Sequence, residues 1–157
     1  MLTMLVASSK GGCGKTTVVT QAASHYAQAN KRVAIVDADR QQSSFRWAAR
    51  RPENVPGVLA VEGGRRALEK LPEDTDVAIV DTPAGVTEKD LEPYIEQASV
   101  LVVPVLPSSF DLDATTDFLK LLHGISRVRR GKLPVALVGN RLKPWTNASQ
   151  DAMVQLA

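Results

Sequence analysis

Cysteine is almost absent from this chain, with Cys13 alone among 157 residues. No internal disulfide can form, and a reducing compartment is the simplest reading. Aromatic residues are scarce too, at 4% against an apolar fraction of 44%. The core must then be built from Val, Leu, Ile and Ala, the palette of buried parallel strands covered by helices. No apolar run approaches the roughly 20 residues that span a bilayer. Leu2–Ala7, the apolar stretch nearest the start, leads into a glycine loop rather than a cleavage site, so no signal peptide is read. Strong charge is missing as well: a net charge of +2 permits contact with nucleic acid without arguing for it. Neither an internal repeat nor a low-complexity linker is present. These absences point to a cytoplasmic protein forming one domain over residues 1–157, long enough to bury its core without a staple.

What is present alternates. Strand-like runs fall at Leu2–Ala7, Arg32–Asp37, Val58–Val61, Asp76–Asp81, Ser99–Val105 and Pro134–Asn140. Helix-like segments lie between them: Thr16–Asn30, Ser43–Arg51, a short Arg65–Leu71 closed by Pro72, Glu88–Gln97 with Pro93 inside, and a long Leu112–Arg130. A last helix, capped by Asn147, is expected to run to Ala157. The pattern predicts an α/β fold, a mostly parallel β-sheet with helices on both faces. In such sheets ligands bind beyond the carboxyl ends of the strands. The segments to inspect are therefore Ser8–Thr17, Asp37–Gln41, Asp81–Gly85, Pro104–Asp111 and Gly139–Arg141.

The first of these reads Ser8-Ser9-Lys10-Gly11-Gly12-Cys13-Gly14-Lys15-Thr16-Thr17, after a strand and opening a helix. That is the context of a phosphate-binding loop. Glycines let backbone N–H groups turn inward onto phosphate oxygens, and the following helix adds its positive end. Lys15 is placed to reach the β- and γ-phosphates, and the Thr16 hydroxyl to bind magnesium. Cys13 reads as a small tolerated side chain in this loop.

The second and third segments each follow a strand with a carboxylate: Asp37-Ala38-Asp39-Arg40-Gln41 and Asp81-Thr82-Pro83-Ala84-Gly85. Phosphoryl transfer to water needs a carboxylate-held metal and a group that positions the water. Taken singly, either aspartate also reads as an ordinary turn residue at a strand end.

The plain pattern G-x-x-x-x-G-K-[ST] is not fully met, because its first glycine would fall at Ser9, while Lys10 stands early in the loop. Lys10-Gly-Gly-Cys-Gly-Lys15-Thr resembles the deviant Walker A of the ParA/MinD group of P-loop ATPases. The resemblance extends from Met1 to about Arg141. It implies a P-loop three-layer sandwich, ATP hydrolysis to ADP and phosphate, and ATP with Mg2+ as cofactors. Lys10 would cross a dimer interface to the partner's nucleotide, alongside Lys15 in catalysis. Lys10, Gly11, Gly12, Cys13, Gly14, Lys15, Thr16 and Thr17 would hold the phosphates. Asp81 matches the Walker B aspartate that holds magnesium through a water, with Thr16 on the ion and Asp37 in its outer shell. Asp39 matches the aspartate that positions the attacking water. Arg40 departs from the family, which usually has proline there. Asn140 would meet the adenine edge, and also reads as a turn asparagine. The Pro104–Asp111 stretch is similar to a P-V-x-P-S-x-x-D segment of plasmid ParA proteins near the dimer interface, and also reads as a proline-stiffened cap.

For function, the resemblance implies an ATP-dependent homodimer that partitions plasmid or chromosomal DNA with a ParB-like partner and binds DNA non-specifically. Arg127, Arg129, Arg130, Lys132, Arg141 and Lys143 offer a basic patch for that, or a plain solvated face. A MinD-like positioning ATPase is the alternative, although Asp151–Ala157 carries no basic residue for membrane docking, so no membrane contact is expected. A metabolic enzyme on the same fold and a nucleotide-binding module without turnover are further alternatives. The iron–sulfur branch is excluded by the single cysteine. Family members usually continue past Arg141 with another strand and helix, so the chain reads as a short or truncated member.

Overall fold

A computed structural model describes residues 1–156. Six strands form one sheet: β1 (Leu2–Val6), β2 (Val33–Asp37), β3 (Leu59–Glu62), β4 (Val77–Asp81), β5 (Val100–Val105) and β6 (Val135–Gly139). Their order is β3-β2-β4-β1-β5-β6, and every pairing is parallel. The two VAIVD strands, β2 and β4, are buried along their whole length. Both faces of the central strands are therefore covered, as continuous apolar runs require.

The helices are α1 (Lys15–Gln28), α2 (Ser43–Ala49), α3 (Glu88–Ile95), α4 (Ser109–Gly124), α5 (Ser126–Arg129) and α6 (Asn147–Leu156). Alternation along the strands splits the core in two. Leu5, Val36 and Val80 pack with Leu91, Tyr94, Phe118 and Leu122 of α3 and α4. Val6, Ile35 and Ile79 pack with Val19, Ala23 and Ala27 of α1. This is the expected three-layer α/β sandwich.

Register then places the chemistry. Ile35 pairs with Ile79 and Asp37 with Asp81, while Val6 of β1 pairs with Asp81 from the other side. Asp37 and Asp81 lie two residues beyond Ile35 and Ile79, on the α1 face of the sheet. The loop leaving β1 emerges beside them, at the carboxyl end.

Three segments differ from the sequence expectation. The stretch 65–71 forms only a 3-10 turn, Leu68–Lys70. The long helix starts earlier, at Ser109, because Ser108 caps it by accepting a hydrogen bond from the Asp111 amide at 3.2 Å. It also breaks: Ile125 adopts extended angles with its side chain buried, separating α4 from α5. Gly124 ends α4 and is the weakest helix former in that region. Asn147 is the first residue of α6, and Ala157 lies outside the described residues. Among the described residues, no helix is long and apolar enough to cross a membrane.

Candidate phosphate-binding site

The loop between β1 and α1 turns on left-handed glycines. Gly12 and Gly14 have φ of 79° and 90°, which side chains rarely tolerate. At Gly14 a Cβ would also lie 2.1 Å from Asn140 Nδ2. Gly14 directly precedes α1, so the first helical amides open toward the loop.

A buried serine organises the inside of the loop. Ser8 Oγ donates to the Lys10 carbonyl at 2.8 Å and accepts from the Lys15 ammonium at 3.1 Å and from the Cys13 thiol at 3.0 Å. Lys15 is buried, yet Ser8 is its one hydrogen-bond partner among the described residues. An ammonium has three donors, so most of its capacity is free for an anion. Thr82, also buried, donates to the Val6 carbonyl at 2.8 Å and ties the end of β4 to the start of the loop.

Thr16 Oγ1 donates to Asp81 Oδ2 at 2.9 Å. The other Asp81 oxygen, Oδ1, is buried without a hydrogen-bond partner. Burial, with Asp37 adding a smaller repulsion, pushes the Asp81 carboxyl up to about 6. An orphaned carboxylate oxygen beside a threonine hydroxyl and a buried ammonium is an arrangement that a divalent cation and a polyphosphate together would satisfy. Among the described residues no group of three or more His, Cys, Asp or Glu could cage a metal. Magnesium takes one or two protein oxygens and completes its shell with phosphates and water.

Asp39 is half-buried, and its Oδ1 accepts from the Gln41 amide at 3.0 Å in a tight turn. Asp37 is more heavily engaged. Its Oδ1 accepts from the Asp39 amide at 3.0 Å, and its Oδ2 accepts from the Ser44 hydroxyl at 2.8 Å and the Phe45 amide at 2.9 Å. Asp37 thus anchors the first turn of α2, a task the sequence does not announce. Asn140 is brought to the loop but not left open: Nδ2 donates to the Cys13 carbonyl at 2.9 Å, and Oδ1 accepts from the Arg141 amide at 2.9 Å. In this structure its amide braces the phosphate loop, a different set of partners from an adenine edge.

Lys10 points away from the loop interior. Its ammonium donates to the Phe110 carbonyl at 3.0 Å and stands 3.9 Å from Asp111 Oδ1, with 44% of the side chain exposed. The structure thus joins Lys10 to the Pro104–Asp111 segment. Arg127 of the basic cluster is half-buried and donates to the carbonyls of Ile95 and Ala98, the latter at 3.3 Å. It is a bracket between α3 and α5 rather than part of an open patch. A hollow of about 770 Å³ lies along α3 and α5, away from the phosphate loop. Hollow volume is a poor guide here, because phosphate loops grip their ligand with backbone amides at the surface.

Comparison with known proteins agrees with this geometry. Residues 4–157 match the CobQ/CobB/MinD/ParA nucleotide binding domain. The maintenance of carboxysome distribution protein A of Halothiobacillus neapolitanus is 31% identical over 98% of this chain and 74% of its own length. Among solved structures, a cobyrinic acid a,c-diamide synthase from Mycobacterium smegmatis with bound ADP and magnesium superposes with a TM-score of 0.79, at 20% identity, over 99% of this chain and 80% of that one. A plasmid partition protein from Borrelia burgdorferi superposes with a TM-score of 0.78, at 15% identity, over 99% and 84%. A parallel sheet with a phosphate loop at its carboxyl edge, and a family match across nearly the whole chain, define a P-loop nucleotide-binding protein. The chain belongs to the CobQ/CobB/MinD/ParA family and is an ATPase of the ParA/MinD type.

Proposed function

We propose that this chain binds ATP with magnesium, pairs face to face with a second copy around the nucleotide, and uses hydrolysis to partition DNA. The observation that carries the reading is the cradle itself: a buried Lys15 with unspent donors beside the unpartnered oxygen of Asp81. The Gly11–Thr17 amides and Lys15 hold the phosphates, and Thr16 and Asp81 hold the metal, with Asp37 behind them. Magnesium, when bound, supplies charge neutralisation at the phosphate oxygens. Asp39 orients the attacking water. Lys10 leaves the Phe110 carbonyl and reaches the nucleotide of the second copy. A ParB-like partner stimulates hydrolysis, and the ATP form binds DNA through phosphate contacts and travels with the nucleoid.

A second reading concerns the cargo. One relative is named for carboxysome distribution, which favours positioning of a protein body by the same cycle. Both readings share one first test. Size-exclusion chromatography with ATP, ADP or neither should give a dimer with ATP alone, and that form should bind random-sequence duplex with an affinity that falls steeply with salt. A monomer under all three conditions would sink the pairing. Salt-independent or absent duplex binding by an ATP dimer would sink the DNA track.

A further inference from the structure

Among the described residues, three that are not glycine adopt left-handed φ: Asn30, Gln42 and Arg141. Asn30 follows the carboxyl end of α1, where asparagine often turns this way. Gln42 closes a turn through its amide on the Asp39 carbonyl at 2.9 Å, and its side chain donates to Glu62 at 2.8 Å. Arg141, at φ 55°, is different. A long side chain gains nothing from this conformation. Its guanidinium is exposed and has neither a hydrogen bond nor an ion pair among the described residues. Two contacts impose the geometry. Asn140 Oδ1 accepts from the Arg141 amide at 2.9 Å. Leu142 then folds back on β6, so closely that a Cβ at Gly139 would lie 2.8 Å from Leu142 Cδ1. Backbone strain held in place by its surroundings points to a binding role.

Position says what would be bound. The phosphate loop leaves β1, which has β4 and β2 on one side and β5 and β6 on the other. Thr16 bonded to Asp81, the metal end of the cradle, lies toward β4. Asp39 lies further the same way, past the end of β2. The terminal phosphates of a nucleotide therefore point toward β4 and β2, and its nucleoside must leave toward β5 and β6. Asn140, at the end of β6, touches the loop on that side. Its amide donates to the Cys13 carbonyl at 2.9 Å and stands 2.1 Å from where a Gly14 Cβ would be. Arg141 is the next residue along. Asn140 has both amide ends engaged, and no aromatic residue occurs within 8–17 or 139–143 to stack on a base.

We infer that Arg141 seats the base of the bound nucleotide, with its guanidinium plane stacked on the purine ring. A guanidinium is planar, always charged and weakly hydrated, and it stacks on π faces as a lysine ammonium does not. Every base offers such a face, so Arg141 supplies affinity without choosing adenine. The left-handed turn holds the side chain at the rim of the phosphate loop rather than along β6. The inference rests on ATP occupying the cradle, and the ligands of its test separate the cradle from the base.

Calorimetry on the full chain with ATP, ADP and inorganic tripolyphosphate, each with magnesium, tests it. Arg141→Ala should bind ATP and ADP about five- to thirtyfold more weakly than wild type, and tripolyphosphate equally well. Arg141→Lys keeps the charge without the plane and should not restore the lost affinity. Arg141→Gly relieves the left-handed backbone. Without nucleotide it should melt at a higher temperature than wild type, yet bind ATP as weakly as Arg141→Ala, a combination that collapse of the loop would not produce. Wild-type ATP affinity in Arg141→Ala would overturn the role. Equal losses for tripolyphosphate and ATP would also overturn it, by making Arg141 a phosphate ligand. So would weaker duplex binding with ATP affinity unchanged, which would return Arg141 to the basic cluster. A wild type that binds neither ATP nor tripolyphosphate would sink the cradle, and the seat with it.

Discussion

Thr16 is the one hydrogen-bond donor that Asp81 has among the described residues, and its second oxygen has none. In the unfolded chain this carboxyl ionises near 3.8, and in the fold near 6. Between those values the folded state holds a proton the unfolded state has lost. Asp81 therefore stabilises the fold below about pH 4, and that contribution disappears as pH rises toward 6, by about 3 kcal/mol in total. Asp81→Asn keeps an oxygen for Thr16 and removes the buried charge. Urea unfolding of the nucleotide-free protein should show the variant about 1–3 kcal/mol more stable than wild type at pH 7.5 and nearly equal at pH 4. The same variant should lose magnesium-dependent ATP affinity. A variant less stable at pH 7.5 would mean that the carboxylate finds compensation in the fold. Asp39 carries a separate prediction. Its carboxylate makes only a turn contact to Gln41, so Asp39→Ala should bind ATP while hydrolysing it at least about tenfold more slowly. Near-normal phosphate release would remove Asp39 from the reaction. Among single residues, Lys15, Thr16 and Asp81 are legible because their chemistry requires those types next to a strand end. Ser8 and Thr82 are not, because a hydroxyl reveals its partners only once the strands are in register.

At the scale of elements, the six strands and most helices follow from apolar runs and caps. The misread region is 112–130, where apolar periodicity continues through a place at which the backbone does not. Ile125 keeps its side chain in the core by leaving helical angles, so the pattern looks unbroken while the helix ends. Periodicity reports which side chains are buried, not whether the axis is continuous. The start at Ser109 lies ahead of the expected Leu112 for a related reason: the cap at Ser108 precedes the apolar residues that set the pattern. Gly124 offers a test of this account. A Cβ there meets nothing within 4 Å, and its φ is not left-handed. Gly124→Ala should therefore stabilise the protein by about 0.5–1 kcal/mol through the lower entropy of its unfolded chain. Thermal melts should show a higher midpoint with ATP binding unchanged. A lower midpoint would mean that the break between α4 and α5 needs glycine itself.

At the scale of the whole molecule, the question is what lets two copies meet. Lys10 occupies the glycine loop in sequence, yet in space it rests on the first turn of α4. That is an awkward place for a cation, since a helix N-terminus is the positive end of its dipole. Asp111 offsets this only partly, at 3.9 Å and with 23% of its side chain exposed, where an ion pair is worth little. Lys10 is therefore weakly held and easily surrendered to a triphosphate, which offers several charges at once. Lys15, buried against Ser8, is not. The two lysines should then separate by function. Lys10→Ala should retain ATP affinity within about threefold by calorimetry and lose the ATP-dependent dimer in sedimentation velocity. Lys15→Ala should lose both, because it empties the interior of the cradle. Should Lys10→Ala dimerise normally with ATP, Lys10 would belong to the loop's own packing against α4, and pairing would have to be driven by another surface.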